Sequence, residues 1–183
     1  MKKENQILIA GFGGQGVLSM GHFLAHSAMG LGKHVAWVPS YGAEMRGGTA
    51  NCLVTISNEE IYSPLTENPL TAIVLNRPSL DKFENRVQSD GWLIVNSSMV
   101  DREPERQDIN ILKLPLNELA ENIGNTRGAN MILLGAYMQK SQIVNIEDVL
   151  SLFEVIYKGK APEVIENNRK AFLAGVEWAK KNW

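Results

Sequence analysis

The chain has 183 residues, 44% of them hydrophobic, with 18 basic and 20 acidic side chains. That length suits one compact core, assigned here as a single domain over residues 1–183, and a balanced charge without a Lys/Arg run excludes the footprint of a nucleic-acid or anionic-lipid binder. No apolar stretch approaches the ~20 residues of a membrane span, and the opening MKKENQ runs directly into a strand-like segment, so the sequence reads as soluble and cytoplasmic.

In chain order, Gln6 to Ala10 reads as a short buried strand, and Val17 to Met29 carries apolar residues at 17, 20/21, 24 and 28, the stripe of an amphipathic helix. Gly30 and Gly32 end that helix, and His34 to Val38 reads as a second strand, completing a Rossmann-like βαβ unit. The glycine-rich PSYGAEMRGGTA of 39–50 follows, then a strand over Asn51 to Ile56 that SNEE turns back into IYS, predicting an antiparallel hairpin over 51–63. Strands at Ala72 to Leu75, Trp92 to Asn96 and Ile109 to Leu114 alternate with one-sided helices after Pro78 and from Leu116 to Ile123. ANMILLGAYM, 129–138, is apolar nearly all round and predicts a buried helix. A further helix spans Ile146 to Ile156, and a last one starts at Pro162. Together these predict an α/β fold: three layers, α/β/α, around a mainly parallel sheet plus the hairpin.

Between the first strand and helix stands Gly11-x-Gly13-x-x-Gly16, the spacing with which a strand turns into a helix around a pyrophosphate. The Gly13-Gly14 pair offers bare backbone amides, and Gln15 a side-chain amide at the helix mouth. The same glycines also serve a purely steric turn. A dinucleotide site needs an acidic residue at the end of the second strand for the ribose hydroxyls, and that place reads Val38-Pro39-Ser40. An ordinary NAD site is disfavoured. SYGAEMRGG, 40–48, falls at the carboxyl end of the second strand, where α/β sheets bind ligands, and should lie beside the glycine turn. Its Glu44 and Arg46 either orient a ligand or partner, or form a solvated ion pair.

Catalytic machinery of the chain's own is hard to find. There is no nucleophile elbow and no distinct carboxylate pair, so no catalytic residue is assigned. His22 and His26 lie four apart on the first helix without an evident third ligand, and no metal site is assigned. The one cysteine, Cys52, alternates with Val54 and Ile56 like a core thiol, and alone it forms no internal disulfide and holds no iron–sulfur cluster.

GFGGQGV at 11–17, PSYGAEMRGGTANC at 39–52, IYSP at 61–64 and LNRPSLDKF at 75–83, in that order, resemble the gamma subunit of 2-oxoacid:ferredoxin oxidoreductases over nearly the whole chain. The resemblance implies a multisubunit enzyme of anaerobic metabolism converting a 2-oxoacid, coenzyme A and oxidised ferredoxin to acyl-CoA, carbon dioxide and reduced ferredoxin. Thiamine diphosphate, Mg and iron–sulfur clusters would then sit on alpha, beta and ferredoxin-like delta partners. The absent G-D-G…N thiamine signature fits that division, and the isolated chain is expected to be inactive. Its own part would be subunit docking and coenzyme A handling. Gly11, Gly13, Gly14, Gln15 and Gly16, with Ser40, Tyr41, Glu44, Arg46, Gly47 and Gly48, would line the surface facing coenzyme A or the thiamine-bearing subunits. EMRGGTANC with IYSP looks more like the 2-oxoglutarate or branched-chain members than the pyruvate ones. The alternative is a free-standing NAD(P)- or flavin-binding oxidoreductase using Gly11 to Gly16.

Overall fold

In the computed structural model, which describes residues 4–41 and 48–183, six strands form one sheet. They are β1 (Asn5–Phe12), β2 (His34–Tyr41), β3 (Thr49–Ser57), β4 (Thr71–Val74), β5 (Trp92–Asn96) and β6 (Asn110–Leu114), in spatial order β2-β3-β1-β4-β5-β6. β1, β4, β5 and β6 run parallel, while β3 is antiparallel to both neighbours, β1 and β2. The layered α/β architecture is as expected, but the antiparallel element is assembled differently. β3 pairs with β2, across the connection that includes the 42–47 segment, and Ile61–Ser63 form no strand.

The reason is burial. Cys52, Leu53, Val54 and Ile56 are buried on both sheet faces, which suits an interior strand, whereas one arm of an exposed hairpin would alternate in and out. Its insertion also separates β2 from β1, so the strands flanking the first helix are not neighbours.

The faces alternate with the period of two that a pleated strand imposes. Ile7, Ile9, Cys52, Val54, Ile73 and Ile94 point to one side, under helices α1 (Val17–Gly30), α4 (Ala129–Ser141) and α7 (Pro162–Asn182). Ala10, Leu53, Ala72, Val74, Leu93 and Val95 point to the other, under α2 (Arg77–Phe83) and Val100. On the first side Phe23 of α1 meets Phe153 with ring centroids 4.9 Å apart, and Phe153 meets Phe172 of α7 at 5.5 Å. Phe153 lies in a short helix, so the expected helix over Ile146 to Ile156 is in fact two. After α3 (Leu116–Asn122), α5 (Ile146–Ser151) and α6 (Phe153–Ile156) are separated at Leu152.

The second side is thinner. The parallel strands β5 and β6 are joined by 97–109 without a helix, and Glu84, buried just after α2, fastens that crossover. Its carboxylate accepts hydrogen bonds from Arg102 Nη2 at 2.8 Å, from the Arg106 amide at 3.0 Å and from the Glu105 amide.

Candidate functional site

β1 delivers the chain to the sheet's carboxyl rim at Phe12, opposite Thr49 at the start of β3. There the Gly13 amide donates to the Gly48 carbonyl at 2.8 Å, and the Gln15 amide donates to the Phe12 carbonyl at 3.1 Å. The expected adjacency of the glycine turn and the far end of the 40–48 segment is therefore built by a backbone hydrogen bond. It also corrects one expectation: the Gly13 amide is already engaged. Ser40 is exposed on β2 in register with Asn51, and Tyr41 ends that strand opposite Ala50. Glu44, Arg46 and Gly47 lie outside the described residues.

Gln15 turns inward. Its Oε1 accepts from the Phe12 amide at 2.7 Å and from Asn76 Nδ2 at 3.0 Å, and its Nε2 donates to the Leu75 carbonyl at 3.4 Å. Asn76 in turn caps α2 by accepting from the Ser79 amide at 2.9 Å. The side-chain amide expected at the helix mouth is a brace tying the exits of β1 and β4 together. Gly11 must be glycine beside it, since a Cβ would stand 2.8 Å from Gln15 Oε1 and 3.0 Å from Leu75 Cβ.

Within the turn two glycines take positive φ, Gly14 at 99° and Gly16 at 76°. At Gly16 a Cβ would also come within 2.5 Å of Asn130 Nδ2, whereas at Gly14 nothing lies within 4 Å. Gly16 packs the turn against α4, and Gly14 leaves it open to an approaching ligand. No described acceptor takes the amides of Gly14 or Gly16. With Gly16 as a cap lacking any side-chain oxygen, the amino end of α1 keeps its unpaired amides and partial positive charge.

A cleft flanks the turn on either side. On the β3 side one of about 470 Å³ is lined by Phe12, Gly13, Gly14, Val17, Leu18 and Ala50, mostly apolar. On the β4 side one of about 530 Å³ is lined by Leu75, Asn96, Asn117, Arg127, Asn130 and Asn168, rich in amides. None of these last polar residues belongs to a motif legible in the sequence. They converge because the fold brings the carboxyl end of β5, the amino ends of α3 and α4, and Asn168 of α7 to the same rim.

His22 and His26 stack with centroids 4.1 Å apart, and burial followed by the neighbouring His26 lowers the His22 pKa. Among the described residues no third ligand completes a metal set with them. Cys52 is buried beneath Gly21, burial pushes its thiol up to about 11, and its Sγ lies 3.7 Å from the Val17 carbonyl. A protonated, enclosed thiol is neither nucleophile nor cluster ligand.

The chain is an open α/β sheet domain with a glycine turn and paired clefts at its carboxyl rim, and β3 occupies the place beside β1 where a dinucleotide fold keeps its ribose-binding strand. A family model described as pyruvate ferredoxin/flavodoxin oxidoreductase matches residues 6–178, and the chain belongs to this family. The ketoisovalerate oxidoreductase subunit VorA of Methanothermobacter marburgensis is 37% identical over 98% of the chain, which spans only 37% of that relative's length. The 2-oxoglutarate synthase subunit KorC of the same organism is 34% identical, covering 97% of this chain and 96% of the relative. Among solved structures, the gamma subunit of a keto/oxoacid ferredoxin oxidoreductase from Geobacter sulfurreducens superposes with a TM-score of 0.80 at 27% identity, covering 96% of this chain and 98% of that one. The free-standing NAD(P) or flavin reading finds no support among these relatives.

Proposed function

We propose that the chain is the gamma subunit of a multisubunit 2-oxoacid:ferredoxin oxidoreductase, acting in the cytoplasm. The complex would convert a 2-oxoacid, coenzyme A and oxidised ferredoxin to acyl-CoA, carbon dioxide and reduced ferredoxin. The names of the branched-chain and 2-oxoglutarate relatives support a substrate of one of those two classes rather than pyruvate.

The observation that carries the role of this chain is the Gly13–Gly48 backbone hydrogen bond. It fixes the glycine turn and Gly48 at one rim, and we infer that Gly11, Gly13, Gly14, Gln15, Gly16, Ser40, Tyr41, Glu44, Arg46, Gly47 and Gly48 serve one surface. Coenzyme A phosphates suit the amides at the mouth of α1. Within that surface Gly14 and Gly16 contact the ligand, while Gly11, Gly13 and Gln15 shape the turn. Thiamine diphosphate with its Mg, and the iron–sulfur clusters, reside on alpha, beta and ferredoxin-like delta partners. They supply decarboxylation and electron transfer, and the buried Cys52 of this chain takes no part. Affinity-tagged chain, purified from its native host under anaerobic conditions, is expected to bring down thiamine-binding and cluster-binding polypeptides in fixed ratio. Recovery of the chain without either kind of partner contradicts the reading.

A further inference from the structure

The two edges of the sheet are built differently. At one edge β6 is five residues long and carries Lys113 in an ion pair with Glu103 of the preceding crossover, the short, charged form that resists pairing with another strand. At the other edge β2 is eight residues long, and its sequence HVAWVPSY holds no Asp, Glu, Lys or Arg. Among the described residues no strand pairs with its outer side. Pro39, in register with Cys52, is its one interruption and stands near the far end, which leaves His34–Val38 as continuous backbone.

Helix α1, packed on β2 and β3, is equally uncharged. VLSMGHFLAHSAMG has no Asp, Glu, Lys or Arg, although 21% of the chain is charged and α7 carries charged residues from Glu163 to Lys181. Its outward stripe is Leu18, His22, His26 and Met29, spaced four, four and three apart; both histidines are exposed and Met29 is 56% exposed. His22 meets Trp37 of β2 edge-on with centroids 5.5 Å apart, which joins helix to strand, and its lowered pKa keeps it neutral at pH 7. An apolar cleft of about 350 Å³ opens on this flank, lined by Leu18, His22, Trp37, Ile156, Tyr157 and Lys160. Leu18 also lines the apolar cleft at the glycine turn, so the flank runs up to the carboxyl rim. A long unblunted edge, depletion of charge and an aromatic-lined cleft are together the make-up of an interface core, not of a solvated flank.

The relatives indicate what this flank faces. KorC and the Geobacter gamma subunit consist almost wholly of this unit, whereas in VorA it is 37% of a longer chain. A unit that occurs both with and without a covalent tether to the rest must hold the rest by contact. We propose that the α1–β2 flank docks the polypeptide that corresponds to the remainder of VorA, which adds a strand to the outer edge of β2 and seats an apolar side chain in the cleft beside Trp37. The proposal rests on the subunit reading above and assigns the docking to one face. In such an addition the backbone of an extended, uncharged segment supplies the hydrogen bonds, and the cleft supplies the selectivity. Because β2 ends at Tyr41, in register with Ala50 and so level with Gly11, a strand laid along it leads the partner to the rim of the glycine turn.

The test uses the full chain and the partner subunits of its own complex, the relevant one identified by its sequence match to the remainder of VorA. Hydrogen exchange of the β2 amides is measured with and without the partner, and partner affinity is measured for wild type, His22→Glu/His26→Glu, Val38→Lys and, at the opposite edge, Lys113→Ala. Thermal unfolding confirms that each variant is folded. The β2 amides that exchange quickly in the free chain are expected to slow about tenfold or more in the complex, with those of β6 unchanged. The two flank variants are expected to weaken partner binding about tenfold or more, and Lys113→Ala no more than about twofold. Unchanged β2 exchange in the complex overturns the proposal, as does wild-type affinity in both folded flank variants; the subunit reading then stands with another docking face. Self-association of the chain that Val38→Lys abolishes while partner binding stays intact gives the flank to a second copy and overturns it as well. If wild type binds no partner subunit, the subunit reading and this docking face fail together.

Discussion

Gly135 of α4 lies against the backbone of Phe172 in α7, and Gly175 of α7 against that of Ile132 in α4: a Cβ on Gly135 would stand 2.0 Å from the Phe172 carbonyl oxygen, and one on Gly175 would stand 1.8 Å from that of Ile132. The helices therefore cross at backbone contact. This crossing carries Ile132 and Phe172, both fully buried, into the core beside α1 and holds the amino end of α4 at the sheet's carboxyl rim. Backbone has no rotamer with which to yield, so alanine at either position forces the helices apart. Gly135→Ala and Gly175→Ala are each expected to destabilise the chain by about 3 kcal/mol or more, read by urea unfolding. A loss below about 0.5 kcal/mol, ordinary for a surface change, contradicts this packing.

The clamp on the β5–β6 crossover gives the protein an acid limb. Burial raises the Glu84 pKa, but the hydrogen bonds from the Arg106 amide, the Arg102 guanidinium and the Glu105 amide outweigh it and hold the carboxyl below its usual range. A folded pKa below the unfolded value of about 4.3 makes the contribution complete above that pH and lost as pH falls through the folded value. Glu84→Gln is expected to cost about 1–3 kcal/mol at neutral pH and to flatten the stability profile below pH ~4. An acid limb of unchanged shape in the variant would assign it to other carboxylates.

Gly14 and Gly16 separate binding from folding. Alanine at Gly14 meets only the positive-φ penalty of about 1–2 kcal/mol, because nothing lies near its Cβ. Alanine at Gly16 adds the collision with Asn130, a further ~1–3 kcal/mol. Unfolding curves should therefore rank Gly16→Ala well below Gly14→Ala in stability, and the folded Gly14→Ala variant should lose affinity for coenzyme A in the assembled complex. Equal stabilities would contradict the packing assigned to Gly16.

Cys52 supplies a reactivity test. With its thiol raised to about 11 and buried, it should react with Ellman's reagent at pH 8 only on unfolding. Rapid labelling of the native chain would mean that the region between α1 and β3 opens.

Much of this architecture was legible because its signals are local. The strand–turn–helix at 5–30 announces itself through an apolar run followed by spaced glycines, and α4 through an unbroken apolar stretch. The position of β3 was not, because alternation along a strand says which face is buried and nothing about which neighbour it pairs with. The run Cys52-Leu53-Val54 was the available sign of an interior strand. In the site, the glycines were readable, while Gln15 misled: its inward bonds depend on Leu75 and Asn76, sixty residues away. The amide-rich cleft was invisible for the same reason: Asn96, Asn117, Asn130 and Asn168 carry no spacing pattern and meet only in the folded chain.

The most direct test of the central claim is the rate of coenzyme-A-dependent viologen reduction with 2-oxoglutarate or 3-methyl-2-oxobutanoate, measured for the thiamine- and cluster-bearing partners with and without this chain. No turnover is expected from the chain alone, and coenzyme-A-dependent turnover from the partners only once the chain is added in stoichiometric amount. Full coenzyme-A-dependent activity of the partners without the chain, or turnover by the chain alone, would contradict it.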